Sequence, residues 1–137
     1  MGTFMEEITL INARDIGYAR DGLIPDTKIR AITVKAVPDT GAWTLIINED
    51  ARQKLGLAIV ETVKSTLADG STTGYGLTEP VEIRWKDRRT SHEAVVIPNG
   101  DAILLGALPL EGMDLYVDPV NQRLAGVHGD QRVYLVL

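Results

Sequence analysis

The chain has 137 residues, a formal net charge of −5 and no cysteine. This length suits a single domain that buries about two-thirds of its unfolded surface, and the acidic balance argues against a nucleic-acid partner. The lack of cysteine excludes disulfides, thiolate catalysis and cysteine-based metal sites, and it fits a reducing compartment. The first residues do not resemble a secretion signal, and the longest apolar stretch, residues 102–110, is too short for a membrane span. We therefore expect a cytoplasmic protein with no membrane partner.

Short strands dominate the first half of the chain. Residues 7–13 and 27–37 are rich in Ile, Val and Thr and have the alternating pattern of strands. Between them, residues 15–25 contain two glycines and one proline, which indicates a loop. A further short apolar strand is predicted at residues 43–47.

The first helix is predicted directly after this strand, at Asn48. An Asn side chain can cap the free backbone donors of a helix, and the acidic residues Glu49 and Asp50 suit its positive N-terminal end. Gly56 then provides a C-terminal stop. We predict one short helix between these two signals.

Turn signals separate the strands of the second half. A long strand at residues 59–67 ends at Asp69-Gly70, a dipeptide typical of tight hairpins. Further strands are predicted at residues 81–86, 93–97, 103–106, 115–117, 123–127 and 132–137, with a short helix at 107–112. The predicted fold class is therefore all-β, mostly antiparallel, with one or two short helices.

One tripeptide, Asp39-Thr40-Gly41, points most directly to chemistry. It follows an apolar strand and precedes Ala42, an arrangement that resembles the way in which aspartic proteases present a catalytic carboxylate. Because the chain has only one such tripeptide, a pair of carboxylates requires a second copy of the chain. A simpler interpretation is an exposed turn in a plain β-domain, since Pro, Asp and Gly are favoured turn residues. That interpretation predicts a monomer.

The order and spacing of several motifs resemble those of the single-domain retropepsin-like aspartic proteases, which include retroviral proteases and their bacterial relatives. Residues 36–42 match the apolar-apolar-Asp-Thr-Gly-Ala motif of that family. Residues 67–71 occupy the position of its flap, and Leu104-Leu105-Gly106 match its element of two apolar residues and a glycine. The resemblance covers roughly residues 7–125.

This resemblance implies a retropepsin-like closed β-barrel with a flap hairpin. It also implies a single domain over residues 1–137, with a core at about 7–125 and a C-terminal extension at 126–137. The implied function is that of an aspartic endopeptidase that acts as a homodimer on a peptide or protein substrate, without cofactor or metal.

The resemblance also assigns roles to individual residues. Asp39 would supply the catalytic carboxylate, the Thr40 hydroxyl would bond across the dimer axis, and Gly41 would let the two loops approach closely. Gly106 would allow tight packing behind the loop. Substrate would be bound by the flap and its neighbours, namely Ala42, Ala68, Asp69, Gly70 and Ser71.

The physical logic of this route rests on a pair of carboxylates. One of them takes a proton from a water molecule, and the other protonates the carbonyl oxygen of the peptide bond. Two carboxylates about 3 Å apart cannot both ionise, so they share one proton and titrate as a unit. Two-fold symmetry supplies such a pair from one Asp39 in each chain.

Pro38 departs from the family pattern, which has an aliphatic residue before the Asp. Proline removes a backbone donor and fixes φ, so we expect the hydrogen bonding of the loop to differ. This departure favours an alternative function, in which a retropepsin-like fold serves as a peptide-binding or oligomerisation module with little or no cleavage.

Other residues give three further expectations. His92 and His128 are the only histidines and lie 36 positions apart, so no metal site is expected. Trp43 and Trp85 are expected in the core. The apolar residues 132–137 are expected in the dimer interface, because the family often builds its dimer sheet from chain termini.

Overall fold

The structure, a computed structural model, describes residues 3–66 and 68–136. Its strands are β1 (Glu6–Asn12), β2 (Ala31–Pro38), β3 (Leu45–Ile47), β4 (Ile59–Thr66), β5 (Thr72–Thr78), β6 (Val81–Trp85), β7 (Arg88–His92), β8 (Ala94–Val96), β9 (Leu104–Leu105), β10 (Leu115–Asp118) and β11 (Arg123–Gly126). Its helices are α1 (Ala13–Arg20), α2 (Glu49–Leu55) and α3 (Ala107–Gly112), with one 3₁₀ turn at Asp26–Lys28. The prediction of a mostly β chain with few helices is confirmed, although the described residues form three α-helices. Within these residues, no helix has the length and hydropathy of a membrane-spanning segment.

Nine strands form one mixed sheet, in the order β4-β5-β8-β3-β9-β2-β1-β6-β7, and β10 pairs with β11 in a separate hairpin. β2 pairs with β9 and β3 with β8 in parallel, while the other pairings are antiparallel. β4 and β7 form the two edges of the large sheet, and the pairings of the described residues do not join them. The expected closure into a barrel is therefore not confirmed.

The hydrophobic core draws on side chains from many of these strands. Leu10 of β1, Leu45 of β3, Ile83 of β6 and Leu105 of β9 are fully shielded from solvent. Burial of one such side chain contributes about 1.5–3 kcal/mol. Because Leu105 belongs to this core, the short strand β9 is fixed firmly between β3 and β2.

Helix α2 begins and ends where the sequence predicts. The Asn48 side chain accepts a hydrogen bond from the Ala51 N–H at 2.8 Å, and Gly56 adopts a left-handed conformation with φ of +63°. A β-carbon at Gly56 would also overlap the Arg30 guanidinium. Glycine therefore ends the helix at little steric cost, and Leu55 turns into the core.

The prediction of a loop at residues 15–25 is wrong for residues 15–20, because these belong to α1. Asn12 caps this helix: it is fully buried, accepts a hydrogen bond from the Asp15 N–H at 3.1 Å and donates one to the Leu55 carbonyl at 2.8 Å. The Asp15 carboxylate in turn binds the Arg30 guanidinium at 2.8 Å. Contacts with residues distant in the chain stabilise α1, and a short polar stretch does not reveal them.

The polar strand β7 is also missing from the sequence prediction, which has no strand between the one at residues 81–86 and the one at 93–97. β7 pairs with β6 at the edge of the sheet. Its buried residue is Arg88, not an apolar side chain. Without apolar alternation, the pattern does not indicate a strand.

The strand predicted at residues 132–137 is wrong for residues 132–136, and Leu137 lies outside the described residues. The Asp114 carboxylate accepts a hydrogen bond from the Val133 N–H at 3.1 Å and contacts the His128 ring at 2.7 Å. The hydrogen bond with His128 is the larger cause, and the bond from the Val133 N–H the smaller one, of a lowered pKa of Asp114. Side-chain bonds, not strand pairing, thus hold this tail, and its place in a dimer interface stays a prediction.

The two tryptophans differ in burial. Trp85 is buried, as predicted, and its indole N–H donates to the Glu6 carboxylate at 3.3 Å. Trp43 is 52% exposed, so its predicted place in the core is wrong. Trp43 lies between β2 and β3, where the chain forms an exposed loop and not a strand.

Candidate active site

The Asp39 loop, residues 39–42, begins where β2 ends. β2 runs parallel to β9, and the Val37 N–H donates to the Ile103 carbonyl at 2.8 Å. One step further, the Asp39 N–H donates to the Leu105 carbonyl at 3.0 Å. The ladder therefore extends through Asp39, and the middle of the sheet fixes the backbone that carries its carboxylate.

Pro38 is compatible with this ladder. Along a strand, successive backbone N–H groups point to opposite sides. The N–H groups of Val37 and Asp39 both point towards β9, so a donor at Pro38 would point away from it. On that other side, the pairing of β1 with β2 begins only at Glu6 and Ala36. Pro38 therefore leaves both hydrogen bonds to β9 in place.

The Asp39 side chain helps to shape its own loop. Its Oδ1 atom accepts a hydrogen bond from the Gly41 N–H at 2.9 Å, and its carbonyl oxygen accepts one from the Ala42 N–H at 3.0 Å. Such bonds are typical of turns that begin with aspartate. The bond to Gly41 orients the carboxylate, while Asp39, Thr40 and Gly41 all remain exposed.

Gly106 and the start of α3 support the loop from behind. The Ala107 N–H donates to the Ala42 carbonyl at 2.8 Å. A β-carbon at Gly106 would overlap the Thr44 carbonyl oxygen and lie 2.6 Å from that of Ala42. Only glycine permits this close approach, which agrees with the packing role predicted for it.

The residues predicted to form the flap lie at the turn of the β4–β5 hairpin and are all exposed, namely Ala68, Asp69, Gly70 and Ser71. Ser71 donates from its N–H and its hydroxyl to Asp69 Oδ1, at 2.9 and 2.6 Å, and these bonds lower the pKa of Asp69. Gly70 has φ of +86°. In the sheet order, β8, β3 and β9 separate this hairpin from β2. The structure thus gathers residues 39–42 in one loop and leaves residues 68–71 in another.

A mainly apolar groove of about 510 Å³ opens beside Thr40. It is lined by Thr40, Ala107, Leu110, Glu111, Leu115, Tyr116, Val117 and Pro119. The exposed side chains of Trp43 and Leu108 add apolar surface next to the loop, and the Leu108 N–H donates to the Trp43 carbonyl at 3.1 Å. Sequence reasoning missed this surface. Its one available signal was an aromatic residue directly after the Asp-Thr-Gly-Ala motif.

The two histidines make separate local contacts. The His92 ring lies 2.9 Å from the Thr90 hydroxyl, and burial lowers the pKa of His92. His128 contacts Asp114 instead. In the part of the chain that the structure describes, no group of three or more His, Cys, Asp or Glu side chains is arranged to hold a metal ion.

Comparison with known proteins identifies the family. A family model described as aspartyl protease matches residues 26–107, which is more than half of the chain and includes the Asp39 loop, the β4–β5 hairpin and Gly106. The chain belongs to the aspartyl protease family. This result confirms the resemblance found in the sequence.

A solved structure adds the fold. The crystal structure of a retropepsin-like aspartic protease from Rickettsia conorii is similar to this chain with a TM-score of 0.53 and 18% sequence identity, over 85% of each chain. At that identity the similarity concerns the fold, which is retropepsin-like. Comparison with curated proteins gives no match.

Proposed function

We propose that this chain is an aspartic endopeptidase that acts as a homodimer, with Asp39 of each subunit contributing one catalytic carboxylate. The observation that carries the proposal is the placement of a single Asp-Thr-Gly motif at the end of a central strand. The motif is exposed, and backbone hydrogen bonds hold the loop at Asp39 and at Ala42. Membership of the aspartyl protease family supports protease activity.

The proposed reaction uses the two carboxylates as base and acid. The pair shares one proton, so one member is ionised while the other is protonated. The ionised carboxylate takes a proton from a water molecule, whose oxygen attacks the carbonyl carbon, and the protonated carboxyl gives its proton to the carbonyl oxygen. The carboxyl that took the proton from water then gives it to the nitrogen as the C–N bond of the tetrahedral intermediate breaks, and a hydroxyl of the intermediate gives its proton to the other carboxylate. One water is consumed, and the pair regains its single shared proton.

The loop geometry favours this chemistry in a dimer. The hydrogen bond from the Gly41 N–H restricts rotation of the Asp39 carboxylate, so little further ordering is needed when two copies meet. Thr40 is exposed at the rim of the apolar groove, a position suitable for a hydroxyl that bonds across a two-fold axis. Trp43 and Leu108 offer apolar surface that a second subunit would cover.

The β4–β5 hairpin would act as the flap. Residues 68–71 are exposed at the edge of the sheet, where a hairpin can move without opening the core. The bonds between Ser71 and Asp69 would keep the turn in shape as it closes over the substrate and excludes water. Ala42 would contact the substrate from the opposite side.

The alternative function, a binding or oligomerisation module, rested on Pro38. Because Pro38 leaves the hydrogen bonds of the Asp39 loop to β9 in place, that observation no longer favours it. We therefore place proteolysis first, and the experiment below separates the two functions.

A comparison of purified variants tests the proposal. The Asn side chain has an oxygen that can still accept the hydrogen bond from the Gly41 N–H, but the amide group cannot ionise. Asp39→Asn should therefore lower the cleavage of a peptide library at mildly acidic pH by at least about 10³-fold. Asp118→Asn is the matched control, because Asp118 also accepts a backbone hydrogen bond in a turn, from the Asn121 N–H at 3.2 Å. The control should cleave like the wild type. Equal cleavage by wild type and Asp39→Asn would refute the proposal, and binding without cleavage by either protein would favour the alternative.

A further inference from the structure

A second groove, of about 300 Å³, lies beside the turn between β6 and β7. It is lined by Arg84, Lys86, Asp87, Arg88, Arg89 and Arg132, and we call it the basic groove. Five of the fourteen lysine and arginine residues thus meet at one place in a chain whose net charge is −5. With Asp87 as the one acidic residue in the lining, this excess of cations makes a local positive field in an acidic protein.

The cations of the basic groove outnumber the carboxylates that contact them. Glu82 binds both Arg84, at 2.6 Å, and Arg89, at 3.4 Å. These two arginines also stand directly opposite each other in the pairing of β6 with β7, a register in which like charges destabilise a hairpin. Their side chains remain 50% and 67% exposed, so they can bind a further anion.

The remaining cations are held in place before any ligand arrives. Arg88 is buried, and its guanidinium donates to the carbonyls of Met113, Asp114 and Gly129 at 2.9, 2.8 and 2.6 Å, so it adds positive charge next to the groove and makes no contact with a ligand. The Lys86 ammonium lies 4.6 Å from the centre of the Trp85 ring, and the Arg132 guanidinium lies 5.1 Å from that of Tyr134. Side chains already held in this way lose little freedom on binding, which favours affinity.

We propose that the basic groove is a second binding site, which takes an acidic polypeptide segment with consecutive Asp or Glu side chains. Carboxylates match the planar guanidinium groups of Arg84 and Arg89. The groove has room for a few carboxylate side chains and not for a folded partner. The net charge of −5 disfavours a long polyanion such as nucleic acid, whereas a short acidic segment meets only the groove.

This site is separate from the proposed catalytic loop. The basic groove lies at the β7 edge of the sheet, with β6 and β1 between that edge and β2, which carries Asp39. Binding there needs no pair of carboxylates, so the binding proposal can hold or fail whether or not the protein cleaves peptides.

An NMR titration of the full chain tests the proposal, with acetyl-Glu-Glu-Glu-Glu-amide as the probe and the corresponding Gln peptide as the neutral control. The acidic peptide should shift the backbone amides of residues 84–89 and Arg132 in a saturable way. Raising the salt concentration to about 1 M should remove the effect, because the Debye length falls to about 3 Å. The Gln peptide should cause no saturable shift.

A pair of matched double variants locates the site. Lys86→Gln with Arg89→Gln removes two charges from the basic groove and should weaken binding of the acidic peptide about fivefold. Arg20→Gln with Lys28→Gln removes the same two residue types at exposed positions elsewhere and should bind like the wild type. The amide spectrum of each variant reports whether it is folded.

Three results would overturn the proposal. They are equal binding of the Glu and Gln peptides, unchanged affinity in the Lys86→Gln and Arg89→Gln variant, and tighter binding of a single-stranded oligonucleotide than of the acidic peptide. The Asp39→Asn variant should bind the acidic peptide as well as the wild type does.

Discussion

The Asp39 loop and the turn of the β4–β5 hairpin share one local design and differ in their support. In both, an aspartate Oδ1 accepts a hydrogen bond from the N–H two residues later, at 2.9 Å in each case. The Asp39 loop is backed by β9 and by the start of α3. The hairpin belongs to the sheet edge, and β5 pairs with β8 only at Gly76 and Leu77, far from the turn. Similar turn chemistry thus gives a firmly held carboxylate in one region and an exposed, lightly held turn in the other.

This difference has a functional meaning under the proposed mechanism. A catalytic carboxylate must be held within a fraction of an ångström of its working position. A cover for the substrate must open and close, and such elements come from the least stable parts of a fold. Substitutions in the two regions should therefore differ in size and kind.

The largest effect on stability is expected for Gly106→Ala. The added methyl group would overlap the Thr44 carbonyl oxygen, and the nearest atoms are all backbone atoms of Ala42 and Thr44, so no flexible side chain can move aside. We expect a loss of about 3 kcal/mol in the free energy of unfolding, measured by denaturant titration. Gly17→Ala is the control, because a β-carbon there meets nothing within 4 Å and α1 should gain up to about 1 kcal/mol. Equal stability of Gly106→Ala and wild type would show that the Asp39 loop is not rigidly backed.

A somewhat smaller effect is expected for Asp15→Asn, which acts on the chain just before β2. The Arg30 guanidinium binds the Asp15 carboxylate at 2.8 Å. Removing one partner of a fully buried pair costs about 3–5 kcal/mol, but the Arg30 side chain is 45% exposed and water screens the pair. We therefore expect a loss of about 2 kcal/mol at pH 7.

The Asp15→Asn difference should also depend on pH in a defined direction. The hydrogen bond from Arg30 lowers the pKa of Asp15 below its usual 3.8 in the folded protein. A carboxylate with a lowered folded-state pKa stabilises fully above 3.8, and the stabilisation is lost as the pH falls below that value. The gap between wild type and variant should be constant from about pH 7 to 5 and should close below about pH 4. A gap that widened on acidification would contradict this assignment.

The smallest effect on stability is expected for Gly70→Ala, in the hairpin turn. Gly70 has φ of +86° with open space around it, so the cost is torsional and amounts to about 1 kcal/mol. If the closed hairpin needs the left-handed conformation at position 70 and the Ala variant relaxes out of it when open, the cost of about 1 kcal/mol is incurred on closure, and kcat/KM should fall about fivefold. Loss of stability as large as in Gly106→Ala would mean that the two regions are equally well supported.

Local signals were enough to predict those parts of the fold that local chemistry determines. Asn48 and Gly56 fix α2 by capping and by a left-handed stop, and both act within one helical turn. The Asp39 loop was predicted for the same reason, because its motif is contiguous in sequence.

The features that the sequence analysis missed depend on contacts between residues that are distant in the chain. α1 depends on the hydrogen bond from Asn12 to the Leu55 carbonyl, across 43 positions. β7 depends on its place beside β6 and on burial of a charged residue, Arg88, which no apolar pattern indicates. Trp43 is exposed in the loop between β2 and β3, and its carbonyl bonds to the distant Leu108 N–H at the start of α3.

The most direct test of the central account is the cleavage rate of mixed subunits. Wild type would be equilibrated with a ninefold excess of Asp39→Asn at constant total protein. If the catalytic pair needs one Asp39 from each of two chains, activity should fall to the square of the wild-type fraction, about 1% of the starting rate. A residual rate of about 10%, proportional to the wild-type fraction, would show that each chain works alone. That result would contradict a shared pair of carboxylates.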